Sequence, residues 1–106
     1  RQIYSLVKFV TSENMSYESK RNYLRVLRSI LSNYEQLHIF YNWYSGTGSA
    51  WEGNKNKFLT DYRMIHNIPF DFVIEDIDLL KVFSGINYKK EKGRLDDCLF
   101  EYEDQL

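Results

Sequence analysis

The stretch from Ser32 to Ser45 constrains this chain most. Ser32 and Glu35 form an S-x-x-E pair. In such a pair the serine oxygen accepts the amide hydrogen of the third helical residue, and the glutamate reaches back to the serine amide. The pair predicts a helix that starts at Asn33 and runs to about Ser45. Along it, Tyr34, Leu37, Phe40, Tyr41 and Tyr44 fall on one face, and Ile39 with Trp43 on another. A helix apolar on two sides must be covered on both, so this one is expected at the centre of the fold. Gly46 then stands where a helix commonly ends in a left-handed residue. One proline and five glycines in 106 residues favour helices over a turn-rich β fold. The expected fold class is all-α, a single domain of four to five helices with the aromatic third helix central.

The other helices follow from spacing. Ile3, Leu6, Val7 and Val10 predict a first helix over the opening dozen residues. Ser16 can cap a second helix that runs to about Leu31. On it Tyr23, Leu24, Leu27, Ile30 and Leu31 share one face, and Arg21, Arg25 and Arg28 the opposite face. Ser49 and Glu52 repeat the S-x-x-E pattern and predict a fourth helix to about His66, stopped by Pro69. A short helix is expected from about Ile74 to Phe83. Leu95, Leu99, Tyr102 and Leu106 keep helical spacing in an acidic last helix.

Charge is uneven along the chain. Residues 1–31 carry a balance of +4, residues 32–70 are neutral and residues 71–106 carry −5. The plain expectation is that the two ends neutralise each other in the fold. The sharper one is a basic face for an anionic partner. Cys98 is the single cysteine, so no internal disulfide exists, and a reducing, cytoplasmic setting is expected. No apolar run approaches the roughly 18 residues that cross a bilayer. The chain begins with Arg1 rather than Met, which is expected of a piece of a longer protein.

No pattern of a known active site stands out. His38, His66 and Cys98 lack the spacing of a zinc site, and the acidic group Asp71, Glu75, Asp76 and Asp78 lacks the pattern of a calcium loop. No metal and no cofactor are expected. Gly46-Thr47-Gly48-Ser49 lacks the G-K-[ST] of a phosphate loop. Two constellations remain. Glu35, His38 and Asn42 recur at i, i+3 and i+7 as a narrow polar stripe on the third helix. The stripe reads as a binding or acid–base site, with His38 as its titrating group, or as a structural or solvated strip. Arg21, Arg25 and Arg28 form a basic stripe. It reads as a nucleic-acid contact, or as a solvated face or a contact with the acidic C-terminal third.

One resemblance adds to this reading. Arg28, Leu31, Ser32, Glu35, Leu37, Phe40, Tyr41 and Asn42 stand at the places of an R-x-x-L-S-x-x-E-L stretch followed by F-Y-N, with Gln36 as one extra residue. Lys57-Phe58, Tyr62 and Asn67 match a later K-F…Y…N segment, and Ile3-Tyr4 to Phe9 its preceding helix. Together these resemble the C-terminal region of the bacterial family named putative phage abortive infection proteins. The resemblance covers about residues 1–68 and leaves the acidic part, 69–106, unmatched. It implies a part in abortive infection, in which an infected cell halts phage replication at its own expense. It also implies a membrane-anchored parent with hydrophobic helices upstream. Three functions are therefore carried forward. The first is a non-enzymatic sensing or interaction module that binds a phage or host protein, or packs on its own chain. The second is an RNA-directed nuclease using His38 with Glu35 or Arg28. The third is a nucleic-acid-binding module using the arginine stripe.

Overall fold

A computed structural model describes residues 2–103. Among the described residues four α-helices follow one another: α1 (Gln2–Thr11), α2 (Tyr17–Ser29), α3 (Asn33–Tyr44) and α4 (Leu79–Phe83). Two short 3-10 turns, Ser49–Trp51 and Phe70–Phe72, punctuate the connections, and no strand occurs among the described residues. No helix of the described residues is long and apolar enough to cross a membrane.

Helices α2 and α3 start where their caps dictate. The Ser16 side chain accepts from the Ser19 amide at 3.1 Å. At α3 the capping box is complete, with Glu35 N to Ser32 Oγ at 3.0 Å and Ser32 N to Glu35 Oε1 at 2.9 Å. Helices α1 and α2 run antiparallel. The Lys20 ammonium on the first turn of α2 donates to the Thr11 carbonyl at the end of α1, 2.7 Å away. The α1 start and the α2 end meet again at Ile3 and Leu31, which line one groove.

Helix α3 is the hub. Phe40 is fully buried, and its ring lies 6.1 Å from Phe83 of α4. Trp43 stacks on Phe83 at 5.3 Å, and Phe83 meets Phe100 at 5.8 Å. Aromatic contact thus ties α3 to α4 and to the C-terminal segment.

The orientation of α2 corrects the sequence reading. Its buried residues are Arg21, Leu24 and Arg28, spaced i, i+3, i+7. The apolar face assigned from spacing is split: Leu24 and Leu31 are buried and Leu27 half-buried, but Tyr23 is 61% exposed and Ile30 73%, and Val26 beside them is 61% exposed. The reason lies far along the chain. Asp96 and Asp97 offer fixed carboxylates to the arginines, so burial of the guanidinium groups is compensated.

The long fourth helix is also absent. After the turn at Ser49–Trp51 the chain bends through Gly53-Asn54, and Glu52 pairs with Lys57 in an isolated bridge. Glu52 does not cap Ser49. Its carboxylate turns inward and accepts from the Leu59 and Thr60 amides, each at 3.1 Å, and from the Thr60 hydroxyl at 2.6 Å. Further on, Arg63 takes a left-handed φ of 58°, which no helix accommodates. The helix expected over 74–83 shrinks to α4, because Asp78 caps at the Lys81 amide. The acidic last helix does not form among the described residues. Leu95 is fully exposed and the turn around it aims Asp96 inward. Leu106, which belonged to that pattern, lies outside the described residues.

Candidate functional site

Two constellations organise the chemistry of this protein. The first is internal. Arg21, Arg28 and Arg63 are buried at 1%, 5% and 0% exposure. Asp96 Oδ1 lies 3.2 Å from Arg21 Nη2 and its Oδ2 3.2 Å from Arg28 Nη2, while Arg94 Nε approaches Oδ1 at 2.6 Å. Asp97 Oδ1 receives Arg63 Nη2 at 3.0 Å and lies 3.5 Å from Arg21 Nη1. Arg63 also donates to the carbonyls of Thr60, Asp61, Lys89 and Asp97. A guanidinium carries five N–H donors in a rigid fork, which suits it to clasp several segments at once. The left-handed backbone at Arg63 is what turns that fork toward them. No buried side-chain nitrogen or oxygen among the described residues lacks a partner.

Electrostatics follow from this packing. Burial alone would push the Asp96 carboxyl up. The hydrogen bond from Arg28 and the charges of Arg21 and Arg28, with Arg94, overcome that and hold it at about 2. Burial and the Arg28 charge push His66 below its usual value, against the hydrogen bonds its ring makes. Its Nδ1–H donates to the Cys98 carbonyl, 2.8 Å away. His66 is therefore a neutral core group. Burial likewise raises Glu52, although Thr60 and the Leu59 amide stabilise its charged form.

The second constellation is open to solvent. A groove of about 350 Å³ between α1 and α3 is lined by Ile3, Leu31, Tyr34, Ile39 and Trp51, together with Glu35, His38 and Asn42. The i, i+3, i+7 stripe thus shares one cleft. His38 is exposed and Asn42 half-buried. Glu35 is half committed, because its Oε1 holds the Ser32 amide. A neighbouring hollow of about 400 Å³ continues past Asn42 and Trp51 to Tyr4 and Gly48. The chain enters that hollow tightly: a Cβ at Gly48 would meet the Trp51 ring at 3.0 Å.

The structure divides the residues singled out from sequence. Glu35, His38 and Asn42 meet in the groove. Arg28 does not join them, because it is spent on Asp96 and on the Arg63 carbonyl at 3.2 Å. Of the basic stripe, Arg21 and Arg28 contact the acidic C-terminal third, while Arg25 alone is exposed. Among the described residues no group of three His, Cys, Asp or Glu side chains is placed to hold a metal ion. Arg63, His66, Asp96 and Asp97 were not singled out by sequence reasoning. The opposed charges of the two chain ends were the signal that could have found the aspartates.

A comparison with protein-family models matches residues 1–73 to the family described as Putative phage abortive infection protein. The match takes in α1 to α3 and the Arg63 turn, somewhat beyond the 1–68 expected. It lies at the N-terminal end of the chain and does not bear out a placement in the family's C-terminal region. No curated protein and no solved structure matches the chain.

Proposed function

The chain belongs to the family of putative phage abortive infection proteins, and from that membership we propose that it serves phage defence as a non-enzymatic, cytoplasmic protein-interaction module. The observation that carries this reading is the outward face of the α1–α2 hairpin. Leu6 and Phe9 of α1 are 47% and 63% exposed, and Tyr23 and Val26 of α2 with its C-cap Ile30 are 61% to 73% exposed. Tyr23, Val26 and Ile30 are spaced i, i+3, i+7, one line along α2. Tyr34, 69% exposed, continues the apolar surface to the rim of the groove that holds His38 and Asn42. Large apolar side chains gathered on one side of a small domain mark a contact with another protein surface. The partner we assign is a phage or host protein. Another region of the parent chain is the competing occupant.

The nuclease reading draws less support. Arg28, which would hold a phosphate beside His38, is buried on Asp96 instead. The test is plaque formation on cells carrying the intact gene. Val26→Ser with Ile30→Ser should abolish protection while the variant stays folded and at normal level, and His38→Ala should leave protection largely intact. A fall in protein level with the double variant would point to packing on the parent chain. Complete loss of protection from a folded His38→Ala protein, with the double variant active, would reverse the assignment in favour of catalysis.

A further inference from the structure

Arg21, Arg28 and Arg63 are consumed by the interior of this protein, yet none of its described lysines is buried. Every ion pair among the described residues uses an arginine. Four of the lysines converge on one concavity of about 290 Å³ beside the end of α1: Lys8 from α1, Lys55 and Lys57 from the bend after Gly53, and Lys89 from the C-terminal segment. Thr11, Ser12, Asn54 and Asn56 add polar groups to its wall, and Asp61 is its single carboxylate. That leaves a local excess of three positive charges on a chain whose net charge is −1. Even Asp61 is partly engaged, because its Oδ1 holds the Lys89 amide at 2.7 Å.

The ammonium groups are partly preorganised. Lys57 donates to the Asn87 carbonyl, and the Lys89 ammonium lies over the Tyr17 ring at 5.3 Å. Each ammonium carries three donors, so one internal contact leaves others for a ligand. Lys8 and Lys55 are exposed. A cluster of four like charges with one counter-charge repels itself, and an anion relieves that repulsion. The shape narrows the choice of anion. A nucleic-acid strand is tracked by an extended basic groove with exposed rings for its bases. Here the four lysines line one small concavity, Phe58 is 2% exposed, and the Tyr62 ring packs against Tyr17 at 5.5 Å.

We infer that the pocket formed by Lys8, Lys55, Lys57 and Lys89 binds a compact polyphosphate, free or carried by a nucleotide. The site lies at the opposite end of α1 from the groove of His38, so it stands whether or not the interaction reading holds. The experiment is calorimetric titration of the chain with tripolyphosphate, with ATP and with an oligothymidylate at low ionic strength. Tripolyphosphate and ATP should each bind at one site and weaken as salt rises. Lys8→Gln with Lys55→Gln should weaken both roughly two- to thirtyfold, the range for two exposed ion pairs. Lys81→Gln with Lys92→Gln, an equal change of charge outside the pocket, should leave both unchanged. No heat with either ligand, or the same loss from the two double variants, would overturn the proposal. Binding of ATP without tripolyphosphate would overturn it in favour of nucleoside recognition. Tighter binding of the oligothymidylate than of either would overturn it in favour of a nucleic-acid interface.

Discussion

Replacing Asp96 with alanine strips a carboxylate from two buried guanidinium groups at once. The Arg21 and Arg28 side chains are 1% and 6% exposed, and the Asp96 side chain is 12% exposed. Removing one partner of a buried pair costs about 3–5 kcal/mol, because the remaining charge stays desolvated. Here the cost falls at the lower end. Arg21 keeps Asp97 at 3.5 Å and the residue-96 carbonyl at 2.8 Å, and Arg28 keeps the Arg63 carbonyl. The expected loss is about 3 kcal/mol, or roughly 12 °C in Tm for a domain of this length. Urea unfolding of the two proteins, with equal slopes, measures it. The same variant should also change the acid limb. With Asp96 held at about 2 in the fold, its contribution is complete above the unfolded value near 3.8 and is lost as pH falls through 2. That window holds about 2 kcal/mol, and Asp96→Ala should remove it. A loss below about 1 kcal/mol would show a solvated pair of the surface kind and refute the buried clasp.

Two further outcomes follow from the core. Phe40→Ala should cost roughly 3–5 kcal/mol in chemical unfolding, since the ring is fully buried between α3 and α4. His66 is held below its usual value, so the unfolded chain takes up its proton first as pH drops. Stability should therefore be complete above about 6.5 and decline below it, and His66→Gln should flatten that part of the profile in unfolding midpoints taken from neutral to mildly acid pH.

What the sequence disclosed depended on range. Caps act over three residues, so Ser16 and Ser32 marked their helices correctly, and the spacing of Glu35, His38 and Asn42 put them in one groove. The orientation of α2 was not local. Hydrophobic spacing placed Tyr23 and Ile30 inside and the arginines outside. The partners that reverse this lie 68 and 75 residues away, beyond any periodicity. The charge balance of the two ends was the trace of it. Ser49 and Glu52 had the same pattern as Ser32 and Glu35, yet Glu52 found the Thr60 hydroxyl and two amides instead. Leu95, Leu99 and Tyr102 had helical spacing, yet the ion pairs of Asp96 and Asp97 outweighed it. The lysine pocket draws on residues 8, 55, 57 and 89, which no motif joins.

The proposed partner surface and the buried arginine clasp are the two sides of α2, so the side that faces outward decides both. Chemical unfolding of the Val26→Ser, Ile30→Ser double variant measures this directly. With those side chains 61% and 73% exposed, the expected change lies within about ±0.5 kcal/mol per substitution. A loss of roughly 3 kcal/mol or more, the cost of emptying two core positions, would place the apolar stripe inside and contradict the outward orientation.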